Sequence, residues 1–350
     1  MNKKPHWGID IGGTTTVIGY LSKAGFIKTS VLDTDTSSSP RRILRRIADS
    51  IMSSGASPES VGAGIAGLVD RKRGLLVSSP NLPNWKDYPL RKKLAELLEC
   101  KVVIDNDCNV FAVQAMESGV IPRSGLWIMI TVGTGIGGTI ISSGEILYGR
   151  GYAGEVGHMT VDAQGRECPC GSTGCWERYA ASEALKDCYH GYSGDETELT
   201  PKQIAEKARS GNDPAKRAFQ ELGRWLGVGL ASLCHCLDPD GVFMAGGLMG
   251  ASSLFLDSAK AEFRRRCSYP WMVRVLPSSI SEAGAEGAAL MGRNELECPS
   301  SLYCSLCAVR KTLHPTAPDR IPRPPGTGLK PSPIRRIPWC SIPKTENFFS

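Results

Sequence analysis

Residues 7–21 read WGIDIGGTTTVIGYL: an apolar run, a glycine pair with three threonines, and a second apolar run. This order predicts a strand, a tight turn and another strand, and residues 26–32 predict a third strand. A dinucleotide-binding unit needs a helix directly after its glycines, so the order excludes that fold. The glycines let backbone N–H groups approach a phosphate closely, although a plain hairpin turn remains the alternative.

The same order of elements recurs later in the chain. Residues 126–132 and 139–142 predict two strands around a glycine-rich turn, GTGIGG, at residues 133–138. The segment fits GxGxxG formally, but a strand follows it instead of a helix. Two glycine hairpins in two halves indicate a duplicated α/β architecture with mixed sheets and a cleft. Such loops could clamp the phosphates of one nucleotide, although the second loop alone could equally be a plain turn.

The rest of the pattern alternates strands and helices around these hairpins. Strands are predicted at residues 61–69, 102–105, 242–245 and 273–276. Helices are predicted at residues 40–53, 90–98, 108–117, 177–187, 201–209, 214–237, 253–266 and 282–293. We expect an N-terminal α/β lobe at residues 1–119 and a C-terminal α/β lobe at residues 120–296, whose last helix could pack back on the first lobe.

Composition limits the class of protein. The chain has 350 residues, of which 41% are hydrophobic and 22% charged, as in a soluble globular protein of about two domains. Residues 299–350 carry the whole net charge of +6 and ten of the 23 prolines. We therefore expect residues 297–350 to be a disordered tail, with Cys304 and Cys307 as incidental thiols. The neutral remainder argues against nucleic-acid binding.

Cysteine usage and hydropathy indicate the compartment. The chain has 13 cysteines and no apolar region after its basic first residues that would form a signal peptide. Its most apolar stretch, residues 126–141, is interrupted by four glycines, so no transmembrane segment is predicted. We expect a cytoplasmic protein with reduced thiols.

A metal site has the most specific spacing. His158 closes the segment GEVGH, and after nine intervening residues CPCGSTGCWE supplies Cys168, Cys170 and Cys175. One histidine and three cysteines match a closed tetrahedral zinc site, which has no open position for water and is therefore structural. Zinc would fix Glu155 and Glu177 on either side, where carboxylates suit hydrogen bonds to sugar hydroxyls. Free cysteines without metal are the alternative.

Polar residues follow the predicted strand at residues 102–105. The segment Asp105-Asn106-Asp107 lies at a strand end, where α/β proteins commonly bind ligands. A carboxylate there can accept the proton of a hydroxyl that attacks phosphorus. An aspartate that caps the next helix is the alternative. Asn81, in NLPNW, is a similar candidate for which turn formation is the alternative.

Taken together, DIGGTT, NLPNW, DNDCN, GTGIGG, GEVGH and CPCGSTGCWE resemble the ROK family of sugar kinases and repressors. The resemblance extends over residues 5–293. It implies an actin-like, ribonuclease-H-like fold of two lobes, with ATP and a sugar in the cleft. It also implies ATP-dependent phosphorylation of a hexose, usually at the 6-hydroxyl, and a homodimer.

The resemblance also implies roles for individual residues. Asp107 resembles the catalytic base. Contacts to the sugar are implied for Asn106, Asp107, Glu155, His158 and Glu177, with Gly67 and Asn81 at the rim. Contacts to phosphates or to Mg²⁺ and ATP are implied for Asp10, Gly12, Gly13, Thr14, Thr15, Gly133, Thr134 and Gly135, with Gly246 and Gly247 near the adenosine. Many members have lysine at the position of Thr15, so less positive charge is expected at the phosphates here.

Two alternatives stay open for the function. We expect D-glucose as substrate, but N-acetylmannosamine, N-acetylglucosamine, fructose and allose differ from it by groups that one sequence does not resolve. A non-catalytic sugar sensor or repressor is the other alternative. Repressors of the family carry a DNA-binding domain ahead of the first lobe, and Asp10 lies too near the start to leave room for one.

Overall fold

The computed structural model describes residues 4–269, 274–277 and 283–297. Its strands are β1 (His6–Ile11), β2 (Thr15–Ser22), β3 (Gly25–Asp33), β4 (Ser60–Ile65), β5 (Leu68–Asp70), β6 (Leu75–Ser78), β7 (Lys101–Asn106), β8 (Leu126–Val132), β9 (Ile136–Ser142), β10 (Glu145–Ile146), β11 (Gly241–Ala245) and β12 (Arg274–Pro277). Its α-helices are α1 (Pro40–Met52), α2 (Leu90–Leu98), α3 (Asp107–Glu117), α4 (Glu177–Ala180), α5 (Ser182–Ser193), α6 (Pro201–Arg209), α7 (Asp213–Leu237), α8 (Leu256–Arg266) and α9 (Ala283–Glu297). Short 3₁₀ helices cover Pro83–Trp85, Val156–His158 and Gly247–Leu254.

Two five-stranded sheets share one strand order. The first runs β3-β2-β1-β4-β7 and the second runs β10-β9-β8-β11-β12. In each, a central strand pairs antiparallel with its hairpin partner and parallel with the strand on its other side. The duplicated α/β architecture with mixed sheets is therefore confirmed.

Helix α9 lies on the first sheet although it ends the described chain. A Cβ at Gly8 of β1 would overlap the carbonyl oxygen of Ala285, and one at Gly62 of β4 would overlap that of Ala288. Glycines on the sheet and alanines on the helix thus allow the two backbones to touch. The last helix therefore packs against the first sheet.

Helix α3 connects the two sheets. It begins at the end of β7, and its apolar residues Cys108, Ala112 and Met116 join a buried cluster with Met129 and Ile141 of the second sheet. By contrast, the apolar face of α1 joins a buried cluster that contains residues of the first sheet and of α2 but none of the second sheet, as its 3–4 spacing predicts one buried face. A change in the position of either sheet would therefore be transmitted to the residues at the start of α3.

Several predicted boundaries were wrong for local reasons. The strand predicted at residues 61–69 is β4 and β5, separated at Gly67, whose φ of 140° turns the chain. The turn predicted at residues 133–138 is only three residues long, because Val132 already pairs with Ile136. Gly137 and Gly138 therefore belong to β9.

Other differences concern helix ends. The helix predicted at residues 177–187 is α4 and α5, which are separated by extended backbone at Ala181. The helix predicted at residues 253–266 begins only at Leu256, after a 3₁₀ helix. The short strands β6 and β10 were not predicted. Helix α9 reaches Glu297, and the rest of the predicted tail, with Cys304 and Cys307, lies outside the described residues.

No helix within residues 4–269 and 283–297 has the length and apolar character needed to cross a membrane.

Candidate active site

The first glycine hairpin joins β1 to β2 through residues 12–15. The Gly12 N–H donates to the carbonyl oxygen of Thr15 at 2.9 Å, which closes the turn. Gly13 faces Asn81, and a Cβ added to Gly13 would lie 2.7 Å from the Asn81 Cβ. The exposed Thr14 is hydrogen-bonded to the segment after β3, since its carbonyl oxygen accepts the Thr34 N–H at 2.8 Å. The structure thus brings Asn81 to the predicted phosphate loop.

Asp107 is the first residue of α3, at the carboxyl end of β7. Asp10 pairs in register with Gly64 of β4, and Gly64 pairs with Asp105 of β7. The first glycine hairpin and the start of α3 therefore share one edge of the first sheet.

The helix cap is Asn106, whose Oδ1 accepts the Cys108 N–H at 2.8 Å. Its Nδ2 donates to the carbonyl oxygen of Gly67 at 2.9 Å, which places Gly67 beside it. The residue that caps α3 is therefore Asn106 and not one of the two aspartates. The Oδ1 of Asp107 accepts the Cys108 N–H as well, at 2.9 Å.

Two carboxyl groups share an electrostatic environment at this edge. Burial and, to a smaller extent, the nearby Asp107 together raise the pKa of Asp10 to about 7. Burial also raises the pKa of Asp107. No basic side chain of the described residues contributes to the pKa of either group. Such a pair suits a site that takes up a proton and a cation.

The predicted metal ligands come together in what we call the metal knot, formed by His158, Cys168, Cys170 and Cys175. Their ligand atoms all lie within 4.8 Å of one another. The Cys168 Sγ lies 3.8 Å from the His158 Nδ1, and the Cys170 and Cys175 sulfurs are 3.6 Å apart. Bonds of about 2.3 Å from zinc to sulfur in a tetrahedron would place the sulfurs about 3.8 Å apart, so the donor set fits zinc.

The thiols of the metal knot also favour a cation. Burial raises the pKa of the Cys168 thiol to about 12 and raises the pKa of Cys175 as well. Three thiolates at this spacing need a positive ion to remain ionised together. The site therefore fits a closed structural metal.

Glu177 connects the metal knot to the second glycine hairpin. It starts α4, and its Oε1 lies 3.5 Å from the Cys168 Sγ and 3.6 Å from the His158 Nδ1. Its Oε2 faces Gly135, where an added Cβ would lie only 2.6 Å from that oxygen. A side chain at residue 135 would therefore displace Glu177.

The carboxyl group of Glu155 interacts electrostatically with the start of α3 and with the metal knot. Burial raises its pKa, His158 lowers it, and Asp107 and Glu177 raise it. The Glu155 side chain is nevertheless exposed to solvent. The predicted sugar contacts Asn106, Glu155, His158 and Glu177 thus gather between the start of α3 and the metal knot.

The second glycine hairpin joins β8 to β9 through residues 133–135. The carbonyl oxygen of Gly133 accepts the backbone N–H and the hydroxyl of Ser182 at 2.9 and 2.7 Å. A Cβ at Gly133 would find its nearest neighbour, the Gly247 nitrogen, at 3.9 Å. The structure therefore brings Gly246 and Gly247 beside this hairpin, with Thr134 exposed at its tip.

Two contacts at the site were missed from the sequence, and for a third residue, Asp105, the sequence predicted its place at the strand end but not its partners. Gly284 of α9 lies against the Asp10 carboxylate, which an added Cβ would overlap. Ser182 fixes the second hairpin. Asp105 is 2% exposed, and burial raises its pKa, whereas Arg71, Asn109 and Tyr148 lower it. A charged residue in the last buried position of a strand was the one signal available.

Comparison with known proteins bears on this geometry. The model of the ROK family matches residues 6–295. The chain belongs to the ROK family. The match spans both sheets, both hairpins and the metal knot, so it covers every part of the candidate site.

Individual ROK proteins are similar over most of the chain. The glucokinase of Streptomyces coelicolor is 32% identical over 315 residues, which cover 83% of this chain and 96% of that protein. The glucokinase of Thermotoga maritima is 32% identical over 263 residues, which cover 71% and 83%.

A solved ROK structure confirms the fold class. It is the ROK family glucokinase of Streptomyces griseus in complex with glucose and AMPPNP, and it is 33% identical. It superposes with a TM-score of 0.72 over 83% of this chain and 99% of that one. The chain therefore has the actin-like, ribonuclease-H-like two-lobed fold of ROK glucokinases.

Proposed function

We propose that this chain phosphorylates the 6-hydroxyl of D-glucose with ATP. The observation that carries the proposal is the position of Asp107, which acts electrostatically on Asp10 beside the first glycine hairpin and on Glu155 beside the metal knot. A base placed between a phosphate loop and sugar-binding carboxylates suits phosphoryl transfer to a hydroxyl. The similarity to glucokinases supports glucose as the acceptor.

Asp107 acts as the general base. Its carboxylate accepts the proton of the 6-hydroxyl while that oxygen forms a bond to the γ-phosphorus of ATP. The bond from this phosphorus to the oxygen that bridges to the β-phosphorus breaks, and ADP leaves with the electron pair. The raised pKa of Asp107 brings its basicity closer to neutral pH, where proton transfer is most efficient.

The sugar is held from the side of the metal knot. The Nδ1 of His158 faces the thiols, which leaves the Nε2 on the opposite side of the ring for a sugar hydroxyl. Glu155 and Glu177 accept hydrogen bonds from further hydroxyls, and Asn106 presents its amide beside the base. Gly67 and Asn81 form the rim.

The two glycine hairpins hold the nucleotide. Gly12 and Gly133 close the two turns through their own N–H groups. The N–H groups of Gly13 and Gly135 and the hydroxyls of Thr14, Thr15 and Thr134 approach the phosphates, and Gly246 and Gly247 lie near the adenosine. Asp10 would hold Mg²⁺, which when bound neutralises phosphate charge. Its raised pKa beside Asp107 fits a carboxylate that is completed by a cation.

Zinc in the metal knot is part of the proposal. It would fix His158 and Glu177 relative to each other, since both lie against Cys168. Metal analysis should find about one zinc per chain. Chelation should lower the melting temperature and abolish glucose binding together, and active protein that contains no zinc would refute the assignment.

The function is tested by ADP release in a coupled assay with Mg-ATP against glucose, fructose, allose, N-acetylglucosamine and N-acetylmannosamine, with a blank that lacks sugar. We expect turnover that depends on glucose. Turnover on another sugar alone would keep the mechanism and replace the substrate. Folded, zinc-loaded protein with no turnover on any sugar would contradict the kinase and favour the sensor alternative.

Three further predictions belong here. The lobe boundary between residues 119 and 120 stays a prediction, as does the homodimer. A cytoplasmic location stays a prediction too, and the reduced cysteines that the proposed zinc site needs are consistent with it.

A further inference from the structure

Asp105 is a buried carboxylate with a full set of partners. Its Oδ1 accepts the Asn106 N–H and the Asn109 Nδ2, each at 2.8 Å. Its Oδ2 accepts the Tyr148 hydroxyl at 2.8 Å and lies 3.5 Å from the Arg71 Nε. Both oxygens are thus engaged, which leaves no atom of the group free for substrate.

These partners come from both sheets. Tyr148 follows β10, the edge strand of the second sheet. Asn109 of α3 accepts the hydroxyl of Thr139 of β9 at 3.0 Å. Two hydrogen-bonded routes therefore lead from Asp105, in the first sheet, to the second sheet. One passes through Tyr148 and the other through Asn109.

The Tyr148 side chain is itself held in place. The Arg71 guanidinium lies 5.0 Å from the centre of its ring and 3.1 Å from Glu295 of α9. Because Arg71 follows β5 and Glu295 lies on the last helix, the ring that reaches Asp105 is fastened from two further segments. The Tyr148 hydroxyl is therefore held in one position, from which its hydrogen bond to Asp105 links the two sheets at a fixed distance.

Asp105 is only two residues from Asp107. Its Oδ1 fixes the Asn106 N–H in the turn from which the Asp107 carboxylate projects. We propose that Asp105 is a positioning residue that, through Tyr148, ties the position of the second sheet to the placement of the Asp107 carboxylate. The inference rests on the proposed role of Asp107 as the base.

The test removes only the Tyr148 hydroxyl, because substitution of Asp105 would disturb four partners at once. Tyr148→Phe keeps the ring under Arg71. We expect kcat to fall about tenfold, since displacing a reacting group by about 1 Å can cost up to about 10²-fold. The KM for glucose should stay within about twofold, because Glu155, His158 and Glu177 continue to hold the sugar. Tyr192→Phe, at a half-exposed ring under Arg217, is the matched control and should leave kcat unchanged.

The same substitution in the Asp107→Asn variant distinguishes a positioning role of Tyr148 from a general effect on protein stability. In Asp107→Asn, which has no base left to position, Tyr148→Phe should change the residual kcat by less than about twofold. An unchanged kcat in the single variant would overturn the inference, and so would an equal loss in both backgrounds or a loss matched by the fraction of unfolded protein. Near-normal turnover of Asp107→Asn itself would instead overturn the proposed base, and the inference with it.

Discussion

The two glycine hairpins have the same topology but face different electrostatic surroundings. The first lies beside Asp10 and Asp107, two carboxyl groups whose pKa values are raised and whose surroundings, within the described residues, supply no basic side chain. The second lies against Glu177, whose carboxylate contacts His158 and Cys168 of the metal knot. A duplicated backbone motif thus has two different surroundings: one hairpin lies beside carboxyl groups whose charge a cation would balance, and the other lies against a carboxylate that is held by side chains of the protein itself.

The largest expected effect comes from the charge near the first hairpin. Asp107→Asn should bind glucose normally and lose at least about 100-fold in kcat, because loss of a general base costs about 10²–10⁴ in rate. The measurement is a coupled assay beside a glucose titration that follows tryptophan fluorescence. Asp49→Asn, at an exposed position of α1, is a control for the loss of a carboxylate. Normal turnover of Asp107→Asn would remove the distinction between the hairpins.

Matched glycine substitutions compare the hairpins directly. Gly13→Ala should lower kcat/KM for ATP about tenfold or more, because its Cβ would press on Asn81 at 2.7 Å and shift the loop from the phosphates. Gly133→Ala should change it by no more than about threefold, since its Cβ meets only the Gly247 nitrogen at 3.9 Å. Neither glycine has positive φ, so the two substitutions differ only in their surroundings. Equal effects would contradict the account.

The smallest effect concerns stability and pH. The pKa of Asp10 is raised from 3.8 to about 7 in the folded protein, so the folded state binds an extra proton between these values. Wild-type stability should therefore fall as pH rises from about 4 to about 7, relative to Asp10→Asn, and the difference should be constant above that. Melting temperatures of both proteins at pH 5, 6, 7 and 8, without nucleotide or Mg²⁺, check this. A difference that does not depend on pH would show that Asp10 is ionised at an ordinary pKa.

Much of the site could be predicted because it is encoded locally. The order of apolar runs and glycines predicts both hairpins, and the spacing of His158, Cys168, Cys170 and Cys175 predicts the metal knot. These residues lie close in sequence, so short-range geometry fixes their arrangement. The strand ends and the position of Asp107 follow from the same patterns.

Other contacts depend on packing between distant segments and could not be predicted. The bond from Tyr148 to Asp105 joins residues 43 positions apart. The approach of Glu177 to Gly135 depends on where the metal knot meets the second sheet. Gly137 resembles a turn residue in sequence, whereas in the structure its small size makes room for the Cys108 thiol. A single sequence contains no local pattern that predicts such contacts between distant segments.

The central claim is that the chain transfers the γ-phosphoryl group of ATP to the 6-hydroxyl of glucose. The most direct measurement compares ADP release with glucose and with 6-deoxyglucose at saturating Mg-ATP, with the phosphorylated product located by ³¹P NMR. The account predicts glucose 6-phosphate from glucose, no sugar-dependent ADP release with 6-deoxyglucose, and competitive inhibition of the glucose reaction by 6-deoxyglucose. Phosphate at another hydroxyl, or equal ADP release with both sugars, would contradict it.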